Sequence, residues 1–376
     1  MDRHRSPQTS SLIAPPDMSA VPTRQHDRHP DDVRIALVGA GLVGRRHAVA
    51  LAAANGVSLA AIADPDPAAE GFAATCGVAW YASLSEALER GDVDGVVLAT
   101  PNRLHLPGAL EAIGKGVPVL VEKPLASSVT DGEAIVAAAE RAGVPLATGH
   151  HRRHNPLIAA ARERIEAGAL GRPVAAHAFA WLRKPDAYFD VSWRREPGGG
   201  PVLVNLIHDI DLLHHLVGPV TEVSAMTANI ARAHAVEDTA VAALRFANGA
   251  LGTMTVSDAT VTPWSWELSA RENPAYPPAD QPAMMIAGTR GSLSVPDVAL
   301  WSQNEGEGWW DPIRMTRAPI PHGDPLVRQA EQFAAVVRGM EPPLASGRDG
   351  LAALRVVEAI LESAASRSPV TIARDA

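Results

Sequence analysis

The chain has 376 residues, about two domains' worth at roughly 150 residues each, and its 47% hydrophobic content excludes extended disorder. A net charge of −9 argues against nucleic acid or an anionic membrane as a main partner, and no run of 18 apolar residues is present to span a bilayer. A single cysteine, Cys76, excludes a disulfide framework and any multi-cysteine zinc or iron–sulfur site.

Residues 1–31 hold Pro, Ser, Arg, His and Asp without periodicity and lack the apolar stretch of a signal peptide. They read as a disordered tail, with Met18 as an alternative start, and a cytoplasmic location is the default. Short apolar runs then alternate with helical patterns. Arg34–Val38 reads as a strand, Leu42–Ala54 as a helix closed by Asn55-Gly56, and Ser58–Ala63 as a second strand. A helix ends at Cys76 before Gly77, and Ser83 with Glu86 forms a capping box for another. Gly95–Ala99 is a strand, Leu104–Lys115 a helix and Pro118–Val121 a strand. Thr130 and Glu133 cap a helix to Ala142, and Pro145–Ala147 closes the set. Such alternation predicts a doubly wound parallel sheet of about six strands over residues 32–150, the α/β class of a Rossmann domain.

Residues 151–376 read as an α+β domain on a mostly antiparallel sheet, for substrate binding and oligomerisation. Asn155-Pro156 starts a helix to Ala167, and Pro201–Val217 is a helix stopped by Gly218-Pro219. Thr239–Phe246 and Ala250–Ser257 flank the hairpin signal Asn248-Gly249. Trp264–Ser269, Met284–Ala287 and Ser292–Val295 are further strands, and Pro325–Arg338 and Gly350–Ser366 are helices.

Gly39-Ala40-Gly41-Leu42-Val43-Gly44 joins the first strand to the first helix. The glycines suit a tight turn, a close approach to a pyrophosphate and helix–strand packing, with phosphate meeting free N–H groups at the helix start. Asp64, 20 residues after Gly44, suits the ribose hydroxyls and repels a 2′-phosphate, so NAD is preferred over NADP. Glu122-Lys123-Pro124 ends the fifth strand, on the edge where such sheets bind ligands. Lys123 is there either a proton donor and acceptor or a surface lysine paired to Glu122. Val204, His208, Asp211 and His215 share one face of the Pro201–Val217 helix, with Asn205 beside them. Asp211 is then placed to hold His208 in one tautomer; His208 is either an acid–base group or a satisfied buried histidine.

The motifs GAGLVGRRH (39–47), ATPNRLH (99–105), EKP (122–124), GHHRRHNP (149–156) and GGGPVLVNLIHDIDLLHHLVG (198–218) resemble those of the Gfo/Idh/MocA oxidoreductases over roughly residues 33–372. The resemblance implies pyrophosphate binding by Gly39, Gly41 and Gly44, with Leu42 and Val43 between them, and adenosine ribose binding by Asp64. It implies that Thr100, Asn102, His105 and Glu122 line the nicotinamide ribose, that Arg194 in the Trp193-Arg194 loop neighbours the cofactor, and that the bond before Pro124 is often cis. Lys123 matches the family's catalytic lysine and His208 its histidine. Relatives usually carry Asp where this chain has Val204, so the Lys/Asp/His trio is incomplete and Asn205 is the nearest polar group.

His151, Trp181 and Lys184 are further substrate candidates, Trp181 and Lys184 within an aromatic cluster with Tyr188 and Trp193. His150, His151, His154 and His208 suggest a metal, but Arg152 and Arg153 among them repel a cation, and no metal is expected. Trp264, Trp266, Trp301, Trp309 and Trp310 read as core or subunit contacts. The reading is an NAD-dependent dehydrogenase acting on a polyhydroxylated small molecule (a sugar, sugar derivative or cyclitol), homodimeric or homotetrameric. Its rivals are a dehydrogenase of cyclic cis-dihydrodiols and an NAD-binding regulator without catalysis.

Overall fold

The computed structural model describes residue 29, residues 31–317 and residues 319–373, so all but residues 29 and 31 of the expected tail, Met18 included, lies outside the described residues. The first half alternates β1 (Val33–Val38), α1 (Leu42–Ala53), β2 (Val57–Ala63), α2 (Ala69–Cys76), β3 (Ala79–Tyr81), α3 (Leu84–Arg90), β4 (Gly95–Leu98), α4 (His105–Gly114), β5 (Val119–Val121), α5 (Val129–Ala142) and β6 (Leu146–Thr148). The six strands are parallel in the order β3-β2-β1-β4-β5-β6. Strand order reverses between β1 and β4, the crevice where such sheets bind nucleotides. The strands are nearly continuous apolar runs because helices cover both faces. One cap differs from expectation: α5 starts at Ser128, whose hydroxyl accepts from Asp131 N, rather than at Thr130.

The second half adds α6 (Pro156–Glu166), β7 (Pro173–Trp181), α7 (Ile207–Leu216), β8 (Val220–Ala228), β9 (Thr239–Phe246), β10 (Leu251–Ser257), α8 (Trp266–Ser269), β11 (Met284–Gly288), β12 (Gly291–Val295), β13 (Ala299–Ser302), β14 (Arg314–Thr316), α9 (Pro325–Val337), α10 (Gly347–Ser366) and β15 (Val370–Thr371). Nine strands form one sheet in the order β14-β13-β12-β11-β7-β10-β9-β8-β15, antiparallel except where β7 meets β10. The expected strand Trp264–Ser269 is instead one helical turn, because Ser265 caps it by accepting from Leu268 N. The expected continuous helix from Pro201 begins as a wide π turn, Val202–Leu206, before α7.

Alternation along β7 places Ala176, Ala178 and Ala180 in the core with Leu206, Ile207, Ile210 and Leu213 of the π turn and α7. The two halves share elements. Leu351 and Leu354 of α10 enter the core of the first sheet, while Ala353, Val356, Val357 and Ile360 enter that of the second. Ala330, Phe333, Ala334 and Val336 of α9 also pack into the first sheet's core. Among the described residues no helix is long and apolar enough to cross a membrane.

Candidate active site

The glycine turn lies at the C-terminal end of β1. Gly39 has φ +97°, and a Cβ there would lie 2.5 Å from Ala99 O; a Cβ on Gly44 would lie 1.9 Å from Gly39 O. A Cβ on Gly41, the N-cap residue of α1, meets nothing within 4 Å. Two glycines thus close the turn on β4, and the third leaves room above the helix start. Leu42 and Val43 are exposed on the rim. Asp64 Oδ2 accepts from Ala40 N at 2.7 Å and Oδ1 from Asp66 N at 2.9 Å, so this carboxylate fixes the turn at the strand end where a ribose is expected. These residues fit a dinucleotide: open space, free N–H groups and a carboxylate lie in the required order.

β5 delivers Glu122 and Lys123 beside that turn. Glu122 Oε1 lies 2.6 Å from His47 Nε2 on α1, and Oε2 accepts from Lys123 N at 3.1 Å. Burial pushes the Glu122 carboxyl up, but His47, with His151 and Lys123, outweighs it and holds it at about 2. The Lys123–Pro124 bond is cis. His105 is fully buried, with Nδ1 2.9 Å from Pro124 O and Nε2 3.0 Å from Thr100 O, so it sits between the two loops and donates to one of these carbonyls. Thr100 Oγ1 is buried without a partner, and Asn102 opens a short 3-10 turn beside it.

Lys123 reaches across to the second half. Its Nζ donates to Val204 O at 3.1 Å, within the π turn that leads into His208. Burial pushes the amine's pKa down; Glu122 and Glu267 oppose this, while Arg152 and Lys184 add to it. His208 is buried with Nδ1 unpartnered, and its pKa lies well below the ordinary value because of burial and the nearby Lys123, Arg152, His151 and His150. His151 and His150 stand edge-on to it, ring centroids 5.3 and 6.2 Å away. Asn205 Oδ1, on the same π turn, is also buried and unpartnered. The expected pairing of Asp211 with His208 is corrected: Asp211 lies 2.8 Å from Arg153 and 3.9 Å from His150. The π turn alters the helical phase before His208, so the even spacing from Val204 does not hold.

Trp181 is not in this cluster. It stacks edge-on with Phe179 and Trp264 on the sheet face away from α7, opposite Ala180. Lys184 is buried, 3.5 Å from Asp258 and 4.8 Å from the centre of the Tyr188 ring. Arg194 lies 4.0 Å over the same Tyr188 ring and donates to Tyr188 O. Trp266 is core, and Trp264, Trp301, Trp309 and Trp310 are exposed.

The carboxylates that face the 149–156 motif had no local sequence signal. Arg152 lies 3.3 Å from Asp209 and 2.9 Å from Glu267. Glu272 lies 3.7 Å from His151 and accepts from Asn155 Nδ2 at 2.7 Å. Arg232 bonds Asp258 at 2.8 Å. Burial pushes the Asp209 carboxyl up to about 7 despite Arg152, and Glu267 adds to the rise.

The chain matches the "Oxidoreductase family, NAD-binding Rossmann fold" over residues 33–150 and the "Oxidoreductase family, C-terminal alpha/beta domain" over residues 162–372, both of Gfo/Idh/MocA type. It is 29% identical over 333 residues to the rhizopine catabolism protein MocA of Rhizobium meliloti, covering 88% of this chain and 94% of that protein. It is 28% identical over 354 residues to inositol 2-dehydrogenase of Rubrobacter xylanophilus, covering 90% and 92%. The WlbA dehydrogenase of Bordetella pertussis, solved with NADH and UDP-GlcNAcA, superposes with a TM-score of 0.73 at 30% identity, covering 92% of this chain and all of that one. With a glycine turn at the end of the first parallel strand, a buried lysine bonded to the π turn that precedes His208, and family matches over both halves, the chain belongs to the Gfo/Idh/MocA oxidoreductase family, with an NAD-binding Rossmann half and an α/β C-terminal half.

Proposed function

We infer that the protein is an NAD-dependent dehydrogenase oxidising a secondary alcohol of a sugar, sugar derivative or cyclitol, with Lys123 and His208 as its acid–base groups. The contact of Lys123 Nζ with Val204 O carries this reading, because it brings the amine of the cofactor half to the turn that presents His208. The inositol 2-dehydrogenase relative and the NADH complex of WlbA support the substrate class and the cofactor.

The nicotinamide, when bound, accepts the hydride. Gly39, Gly41, Gly44 and Asp64 would hold the dinucleotide, and Thr100, Asn102 and Glu122 would lie toward its nicotinamide end. His208, kept unprotonated by its surroundings, accepts the hydroxyl proton. Lys123 donates a hydrogen bond to the same oxygen and steadies its developing negative charge. With Val204 in place of a carboxylate, Asn205 is the neutral group left to orient the substrate's next hydroxyl. Homo-oligomerisation is proposed through the open face of the second sheet, where Leu251, Met285 and Trp301 are exposed.

The test is a screen of sugars, inositols, aldonates and cis-dihydrodiols for NADH formation, with Lys123→Met and His208→Gln as controls. The expected result is turnover of a polyol that falls about 100-fold or more in either variant. Equal activity of wild type and both variants, or turnover of dihydrodiols alone, overturns the reading.

A further inference from the structure

The acid–base pair accounts for removing a proton from the alcohol but not for its departure. His208 is only 7% exposed, and Lys123 and Arg152 nearby make a lasting positive charge on it costly. His151 stands beside it, ring centroids 5.3 Å apart and planes at 75°. Its side chain is 17% exposed, against 1% for His150, so of these two neighbours it is the one that reaches solvent.

His151 also has a carboxylate fixed to serve it. Glu272 Oε1 is held by Asn155 Nδ2 at 2.7 Å, and Oε2 faces His151 Nε2 at 3.7 Å. The carboxylate near His150 is differently committed, since Asp211 lies 2.8 Å from Arg153. Glu122 and His154 also feel the charge of His151. Burial favours a neutral Glu272, yet His151, with Arg152, holds its carboxyl down at about 2, so it stays charged throughout.

We propose that His151 is the relay through which the substrate proton leaves the site, with Glu272 as its positioning residue. The proposal rests on the dehydrogenase reading and deepens it. For each C–H electron pair that leaves as hydride, the O–H proton passes to His208, from His208 through one intervening water to His151, and from His151 to solvent. Both rings return to their starting state, and Glu272 keeps its charge.

The full-length protein with NAD and its best alcohol tests this. His151→Ala is expected to lower kcat about 100-fold with little change in KM, and added imidazole to restore it in proportion to concentration. Glu272→Gln is expected to lower kcat about tenfold without response to imidazole, and Glu272→Asp to recover part of that loss. In the cofactor-free protein, 13C NMR of the Glu272 carboxyl is expected to show no titration above pH 5 in wild type and a midpoint raised toward that range in His151→Ala. Unchanged NAD binding by fluorescence establishes that the variants are folded. A His151→Ala kcat within twofold of wild type, or a loss that imidazole does not restore, overturns the relay. An unmoved Glu272 midpoint overturns the pairing. A wild type inactive toward every alcohol removes the dehydrogenase reading, and the relay with it.

Discussion

His47 Nε2 and Glu122 Oε1 lie 2.6 Å apart and both residues are buried, which ties α1, at the glycine turn, to the end of the strand that carries Lys123. Removing one partner leaves the other buried and unpaired. Glu122→Gln is therefore expected to lose about 3 kcal/mol in urea unfolding at pH 7. The folded carboxyl titrates at about 2, below its unfolded value of roughly 4.3. The wild-type contribution is thus complete above about pH 5 and is lost as pH falls through about 2. The gap between wild type and Glu122→Gln should narrow over that range; a constant gap would show that the carboxylate charge is not the source.

The glycines of the turn separate packing from binding. Gly44→Ala places a methyl 1.9 Å from Gly39 O and is expected to cost about 1–3 kcal/mol of stability. Gly41→Ala meets open space at φ −69°, so stability should change by less than about 0.5 kcal/mol. Its methyl enters the room left for pyrophosphate, and NAD affinity should fall about tenfold, an effect of about 1.4 kcal/mol. Calorimetric melting and NAD titration check the pair of variants.

Asp64→Ala removes the carboxylate at the end of β2 and also the acceptor for Ala40 N. NAD binding is expected to weaken by about tenfold or more, while NADP, relieved of a negative charge near its 2′-phosphate, loses less or gains. Equal loss for both, measured by fluorescence titration, would assign Asp64 to the turn alone.

Buried histidines make the fold acid-sensitive. Burial, with nearby cations, holds His154 at about 3 and His214 and His215 at about 4. Each lies below its unfolded value, so the stability linked to a neutral ring is present near pH 7 and is lost as pH falls from about 6.5 toward 4. Urea midpoints measured from pH 7 to 5 should drop by an amount worth roughly 2 kcal/mol per ring, and His214→Gln should flatten the drop. A flat wild-type profile would contradict this.

The nucleotide half was legible because its signals are local: the glycine turn, Asp64 and apolar runs of strand length. β7 was not. Its sequence PVAAHAFAW is rich in alanine, a poor strand former, and becomes a central strand only because β10 and β11 flank it. Trp264–Ser269 alternates like a strand, but the Ser265 cap decides the outcome. Lys123 and His208 could be singled out because they sit in motifs. Glu267 and Glu272 could not, since the connection between β10 and β11 carries no motif, and its carboxylates meet Arg152 and His151 only in the folded chain. The π turn leaves no local trace either, and it cost the Asp211–His208 pairing.

Phe333 and its neighbours on α9 belong to the same apolar core as Leu37 and Leu120 of the first sheet. The nucleotide half is therefore unfinished until a helix encoded near the carboxyl end has been synthesised. During translation, the early strands must wait for almost the whole polypeptide to emerge, and a fragment cut after residue 150 would present a bare greasy flank instead of a self-sufficient cofactor module.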